Sequence, residues 1–160
     1  MIAEIGHFAL VLALAVALAQ ATVPMIGAAR GDARWIALAR PAAVAQWACI
    51  AIAFLALTHA YVTSDFSVLN VANNSHSAKP LLYKISGVWG NHEGSLLLWV
   101  LILATFGGAV AVFGVNLPPS LRARVLSVQA MIASGFLTFT LFTSNPFTRL
   151  SPAPADGNGL

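Results

Sequence analysis

The residues best suited to chemistry lie in one segment, Trp89–Trp99, at the start of a long apolar run. Aromatic faces can hold a flat apolar ligand, and glycines let such a ligand approach the backbone. An imidazole or a carboxylate at a membrane boundary can coordinate a ligand or exchange protons. The candidate site residues of this segment are therefore Trp89, Gly90, His92, Glu93, Gly94, Ser95 and Trp99.

The same segment also has a purely structural interpretation. Its tryptophans could belong to the aromatic belt of a membrane interface, and Asn91 or Ser95 could cap a helix. Glu93 would then be a carboxylate favoured near a helix N-terminus. The local sequence leaves both interpretations open.

The composition determines the class of protein. Of the 160 residues, 59% are hydrophobic and only 8% are charged, and the mean hydropathy is +0.82. These values indicate an integral membrane protein. Four apolar runs are close to the roughly 20 residues that a spanning helix needs. They cover about residues 5–26, 41–63, 95–115 and 125–144.

The four runs predict an all-α fold, a left-handed up-and-down bundle of four transmembrane helices. One ordered outer loop, residues 64–94, and an outer tail, residues 145–160, would lie outside the membrane. We interpret the first run as a retained helix and not as a cleaved signal, because Glu4 and no Lys or Arg precedes it. Cys49 is the single cysteine, which excludes an internal disulfide and a CxxC or CxxCH motif.

The basic residues predict the orientation, since Lys and Arg in short connections favour the cytoplasmic side. Five arginines fall in the two connections after spans one and three, namely Arg30, Arg34, Arg40, Arg122 and Arg124. Lys79, Lys84 and Arg149 are spread over the remaining connections. We expect both termini, and all four histidines, on the outer face.

Within the outer loop, Phe66 and Val68 alternate with polar neighbours as in a short strand, and residues 81–88 suggest a short helix lying on the membrane. The basic residues are split between two membrane faces, which argues against a nucleic-acid partner despite a pI near 9.6. No metal site is predicted, because the His92–Glu93 pair lacks the second histidine of HExxH.

The tryptophan segment closely resembles a motif of the CcmF/NrfE family, the membrane haem lyase subunits of cytochrome c maturation. Further stretches resemble that family in the same order, namely residues 4–6, 65–68, 71–75, 80–83 and 142–147. The resemblance is collinear over essentially the whole chain, but it covers only roughly the first quarter of family members. The family's His-Pro-Pro segment, its WWD domain and its iron-ligating histidines lie beyond that quarter.

The resemblance implies a complex in the bacterial inner membrane that handles haem b as a substrate on the periplasmic side. It joins the haem vinyl groups to the CxxCH thiols of apocytochrome c. The implied partners are the remainder of the lyase if the protein is split, a haem chaperone, other maturation subunits, apocytochrome c and the lipid bilayer. We assign no catalytic residue and no iron ligand, and expect the chain to be an inactive fragment or one piece of a split lyase.

The resemblance also suggests roles for the candidate residues. We expect the two tryptophans to lie against apolar surface near the haem and the two glycines to permit close approach. His92 and Glu93 would orient the loop or the propionates. Lys84 and Arg149 are the outer cations expected to pair with propionate charge.

Other interpretations of the chain remain. It could be a structural subunit that docks partner helices through small-residue seams, namely Ala9, Ala13, Ala17 and Ala21, and Ala104 with Gly108. A small channel or transporter is less favoured, because the span interiors lack Asp, Glu, Lys and Arg and no inverted repeat is present. His7 and His59 are interpreted as hydrogen-bonded interface residues, with a paired-histidine haem or metal site as the alternative.

Overall fold

The computed structural model describes residues 1–159, and Leu160 at the end of the predicted outer tail lies outside the described residues. Its helices follow in the order α1 Ile2–Arg30, α2 Ala33–Ala37, α3 Ala39–Val62, α4 Leu69–Asn74, α5 Leu81–Gly87, α6 His92–Phe113 and α7 Pro119–Phe142. A 3-10 turn, Gly114–Asn116, follows α6.

Four helices are long and apolar enough to cross a membrane, namely α1, α3 with α2 before it, α6 with its 3-10 turn, and α7. The predicted all-α membrane fold with four transmembrane helices is therefore confirmed. Each predicted apolar run overlaps one of these helices; α1 extends beyond its run at both ends, and α3, α6 and α7 begin before theirs. The depth at which each helix enters the hydrocarbon stays a prediction.

The four long helices form a bundle in which α1 packs mainly against α3 and α7, and α6 packs against the same two neighbours. Helices α1 and α6 therefore occupy opposite corners. Gln20 of α1 is fully buried and donates from Nε2 to the carbonyl of Leu126 on α7 at 2.9 Å. Ser127 returns a bond from its hydroxyl to the carbonyl of Gln20 at 3.0 Å. These bonds fix the register of α1 against α7 where the surroundings are apolar.

Local chemistry explains the helix ends opposite the outer loop. Helix α1 ends where Gly31 adopts a left-handed conformation with φ of 71°, which glycine reaches at no steric cost. Asp32 then caps α2 by accepting from the amide of Arg34 at 2.9 Å. Helix α7 begins at Pro119, whose missing N–H costs nothing in a first turn. The two connections at this end are consequently short.

The small-residue seams lie inside the bundle. All four alanines of the α1 series are buried, three of them in one core cluster with Ile50, Leu57 and other residues of α3. Ala104 is buried as well, and a Cβ on Gly108 would meet the Trp47 ring at 3.8 Å. The α1 series is therefore used to hold the chain's own helices together. Gly108 stays partly exposed, so docking of a partner helix at the second seam remains a prediction.

The outer loop is helical, and the strand predicted around Phe66 and Val68 is wrong. The Asp65 carboxylate accepts from the amide of Ser67 at 3.2 Å and turns the backbone there. Val68 makes only an isolated antiparallel bridge to Arg149 before α4 begins at the next residue. The predicted helix over residues 81–88 is present as α5.

Candidate functional site

The tryptophan segment forms the tight turn between α5 and α6. Asn91 is the N-cap of α6, and its Oδ1 accepts from the amide of Gly94 at 2.8 Å. Its Nδ2 donates to the carbonyl of Gly87 at 2.9 Å and so ties the turn back to the end of α5. One asparagine thus joins both helices, which confirms Asn91 as one of the two predicted caps.

Around this cap lies an outer polar cluster, which consists of Tyr61, Asn70, Asn91 and Glu93. The Tyr61 hydroxyl, fully buried, donates to Asn70 Oδ1 at 2.6 Å and accepts from Asn91 Nδ2 at 2.9 Å. Asn70 Nδ2 donates to Asn91 Oδ1 at 2.8 Å and to Glu93 Oε2 at 3.1 Å. The cluster links the end of α3, helix α4 and the start of α6, so a paired polar network positions the turn.

Gly94 is required by the chain's own packing. A Cβ at this position would stand 1.6 Å from the carbonyl oxygen of Val88 and 3.2 Å from Asn91 Nδ2. At Gly90 the nearest atom to such a Cβ would be the Ser86 carbonyl oxygen at 3.4 Å, an ordinary contact. The close approach at Gly94 is therefore made by the Val88 backbone, and only Gly90 lies on an open surface.

The aromatic residues of the segment face outward. Trp89 is 43% exposed and Trp99 is 60% exposed. His92 is exposed too, and its ring meets the edge of Phe139 on α7 with centroids 6.4 Å apart. Two indoles and an imidazole are thus available for contact with a flat apolar partner.

Arg149 in the tail joins two carboxylates from distant parts of the chain. Its Nη2 lies 2.6 Å from Glu4 Oε1, and its Nη1 lies 3.2 Å from Asp65 Oδ2. The hydrogen bond to Glu4 raises the pKa of Arg149, and the Asp65 charge adds to this. Partial burial raises the pKa of Asp65, but hydrogen bonds from Ser67 and the charge of Arg149 lower it overall. The N-terminal end of α1, the outer loop and the tail thus meet at one end of the bundle.

Lys84, the other predicted propionate partner, is held differently. Its ammonium donates to the Ser64 hydroxyl at 2.6 Å, and no carboxylate among residues 1–159 forms an ion pair with it. Ser64 has a φ of 54°, uncommon for a residue with a side chain. Of the two cations, Lys84 is the one whose charge is not neutralised.

The tail docks further along the outer loop through Asp156. Its carboxylate accepts from the Ser77 amide at 2.9 Å and the Ser77 hydroxyl at 2.5 Å. These bonds from Ser77 lower the pKa of Asp156 to about 2. His76 Nε2 lies 3.5 Å from the same carboxylate, and the amide of Asn158 donates to the carbonyl of Ala72 at 2.7 Å.

The remaining histidines lie apart from the tryptophan segment. His7 Nδ1 is 3.2 Å from Asn145 Nδ2, and His59 is exposed near the end of α3. In the part of the chain that the structure describes, no three His, Cys, Asp or Glu side chains are grouped to hold a metal ion.

Two members of the outer polar cluster, Tyr61 and Asn70, were not predicted from the sequence as site residues. Each has a sequence feature that weakly indicates a buried polar group. Tyr61 ends an apolar run, where a buried hydroxyl needs a partner, and Asn70 interrupts the apolar sequence of Val68, Leu69 and Val71. Neither signal identifies the partner.

No protein-family model matches the chain. The cytochrome c-type biogenesis protein Ccl1 of Rhodobacter capsulatus is 63% identical over 160 residues, which are 100% of this chain and 24% of that protein. The CcmF protein of Pseudomonas aeruginosa is 56% identical over 161 residues, again 100% and 24%. The solved structure of a cytochrome c haem lyase CcmF superposes with a TM-score of 0.86 at 29% identity, over 92% of this chain and 25% of that one. The chain thus spans about a quarter of the length of its relatives.

Proposed function

Because this chain corresponds over its whole length to the N-terminal quarter of CcmF/NrfE-family cytochrome c-type biogenesis proteins, we propose that it is the N-terminal part of a membrane haem lyase. The observation that carries this proposal is the combined match in sequence and fold. We infer that the complete lyase handles haem, as its substrate, and attaches it to apocytochrome c on the outer face.

The reaction assigned to the complete lyase is addition of a cysteine S–H across a haem vinyl group, which forms a thioether and needs no oxidant. The iron must be kept reduced, and its ligands are assigned to other parts of the lyase. This chain contributes one wall of the outer side. The residues of this chain are proposed to bind and orient the haem, and no bond-making step is assigned to them.

Within that wall, the exposed rings of Trp89 and Trp99 are proposed to contact apolar surface near the haem. Gly90 leaves room for that contact, because its surface is open. Glu93 is tied to Asn70, which supports a role in orienting the turn. His92, exposed beside Phe139, is the residue proposed to face the propionates. Gly94 and Ser95 belong to the first turn of α6 and support the backbone.

For the propionates, Lys84 is the stronger partner. Arg149 already holds two carboxylates, so a propionate would have to displace one of them. Lys84 is bonded to a neutral hydroxyl, and its ammonium keeps a full charge to offer. An ion pair at this boundary gains strength where water is partly excluded.

The proposed location is the bacterial inner membrane, with both termini and the outer loop on the periplasmic side. The five arginines at the opposite end of the bundle support this orientation. The proposed partners are the remainder of the lyase, a haem chaperone, other maturation subunits and apocytochrome c. The bilayer surrounds the helices.

A chimera tests the proposal. This chain replaces the corresponding quarter of the Ccl1 protein of Rhodobacter capsulatus in cells that lack their own copy, and covalent haem in c-type cytochromes is measured. We expect the chimera to restore it. Trp89→Ala and Glu93→Ala should each lower the cytochrome yield. Trp35→Ala is the matched control, because that indole is 37% exposed at the other end of the bundle.

The possible results test the haem lyase function and the assignment of the site residues separately. A chimera that accumulates in the membrane but restores no covalent haem would contradict the proposed function. If Trp89→Ala and Glu93→Ala leave both haem content and cytochrome yield unchanged, the site assignment is wrong while the family function stands.

A further inference from the structure

Helix α5 presents an apolar face that the described residues leave uncovered. None of its seven residues is buried. Leu81 is 57% exposed, Leu82 is 73% exposed and Tyr83 is 62% exposed. Three adjacent large side chains in contact with water would be unfavourable, because exposed apolar area raises the free energy of the folded chain.

The position of α5 suggests what covers this face. The helix packs on the end of α3, where a Cβ on Gly87 would lie 3.3 Å from the Tyr61 ring. Only residues 88–91 separate α5 from α6, whose apolar length can span a membrane. Since the connection is so short and is fixed by the Asn91 cap, α5 lies near the level at which α6 leaves the hydrocarbon.

The charge at both ends of this face favours an anionic surface. Lys79 precedes the helix and donates to the carbonyl of Asn74 at 3.0 Å, and Lys84 donates to the Ser64 hydroxyl. Neither ammonium forms an ion pair within residues 1–159. Apolar side chains flanked by lysines whose charge is not paired are typical of helices that lie in a bilayer interface.

We propose that α5 is an interfacial anchor, with Leu81, Leu82 and Tyr83 inserted among the acyl chains of anionic phospholipids and Lys79 and Lys84 at the level of the phosphates. The anchor holds the turn before α6 at a fixed depth. Lys84 is shared with the proposed function and binds either a propionate or a phosphate at one time, whereas Lys79 and the three exposed side chains belong to the anchor alone, so the anchor does not require the haem lyase function.

Depth-dependent quenching tests the anchor. The 160-residue chain carries Cys49→Ser and one new cysteine, Leu82→Cys, labelled with the fluorophore NBD. It is reconstituted in vesicles of phosphatidylcholine and phosphatidylglycerol that contain lipids with a nitroxide near the headgroup or near the acyl terminus. Ile102→Cys, exposed in the middle of α6, is the deep reference, and Ala153→Cys, exposed in the tail, is the aqueous one.

An interfacial helix lies about 5–10 Å into the headgroup and acyl boundary, so we expect the shallow nitroxide to quench position 82 more than the deep one does. Position 102 should show the reverse order, and position 153 should be quenched by neither. Quenching at 82 should fall when phosphatidylglycerol is omitted, with position 102 unchanged. A label at 82 that behaves like the label at 153 would overturn the proposal, and quenching unaffected by lipid charge would overturn the role of the lysines.

Discussion

Gly94→Ala is expected to damage the turn between α5 and α6 more than any other glycine substitution in the tryptophan segment. The new Cβ would stand 1.6 Å from the Val88 carbonyl oxygen and 2.8 Å from the carbonyl carbon. Real Cβ contacts essentially never fall below 3.0 Å, so the Val88 backbone must move by more than an ångström. Asn91 contacts this same backbone through its Nδ2, so its cap moves with it.

The size of the effect follows from three contributions. Overpacking costs about 1–3 kcal/mol. Loss of the Asn91 cap costs about 1 kcal/mol. The higher helix propensity of alanine returns at most about 1 kcal/mol. The net loss in free energy of unfolding is therefore about 2 kcal/mol, or roughly a thirtyfold change in the folding equilibrium.

Reversible unfolding in mixed detergent and SDS micelles measures this loss. Gly135→Ala is the matched control, because it also lies in a spanning helix and its added Cβ meets nothing within 4 Å. Gly90→Ala is a second control within the same segment. If Gly94→Ala unfolds at the same SDS fraction as Gly135→Ala, the predicted clash with the Val88 backbone is wrong.

Two further substitutions and one change of pH test the contacts at the outer end of the bundle. Tyr61→Phe removes a buried hydroxyl with two partners and should lower the free energy of unfolding by about 1–3 kcal/mol, measured in the same micelles. Arg149→Met should release the tail and speed hydrogen exchange at the Leu69 amide, which donates to the carbonyl of Thr148 at 2.8 Å. Because the pKa of Asp156 is lowered from 3.8 to about 2, its contribution is complete above pH 3.8 and is lost as the pH falls towards 2. The protection factor of the Asn158 amide, which corrects its exchange rate for the intrinsic effect of pH, should fall over that range.

Each of these expectations has its own control. Tyr83→Phe changes a phenol that is 62% exposed and should leave stability unaltered. Arg34→Met removes an ion pair with Asp32 in which the arginine side chain is 90% exposed. This substitution should not affect hydrogen exchange at the Leu69 amide. Asp156→Asn should remove the pH dependence at Asn158. A loss of stability in Tyr83→Phe equal to that in Tyr61→Phe would contradict the role of the Tyr61 hydroxyl. Faster exchange at Leu69 in Arg34→Met would contradict the role of Arg149, and a pH dependence at Asn158 that persists in Asp156→Asn would contradict the role of Asp156.

Hydropathy predicted the four spanning helices, because a run of about 20 apolar residues in a bilayer has few alternatives to a helix. The helix ends were less predictable. Asn91 and Ser95 were equally plausible caps from their types, and the choice depends on the Gly94 amide and the Val88 carbonyl, which only the folded turn brings together. The strand assigned around Phe66 and Val68 failed because alternation over three residues also fits a turn that leads into a helix.

The hydrogen bonds of the outer polar cluster could not be predicted from the sequence, for a different reason. Asn70 is 21 residues from Asn91 and 23 from Glu93, and both bonds cross between separate elements. A single asparagine in an apolar stretch indicates that a partner exists, but its identity depends on how α4 sits over the ends of α3 and α6. The candidate residues of the tryptophan segment could be chosen from their types, whereas the groups that hold them could not.

The pair between Glu4 and Arg149 also sets an order of events during synthesis, since its members are 145 residues apart. A ribosome that adds about 5–20 residues per second needs roughly seven to thirty seconds between them. During that interval the first helix has no guanidinium at its outer end, and the contact forms only after the fourth helix has been inserted. The contact between the start of α1 and the residues after α7 is therefore a later step in assembling these four helices.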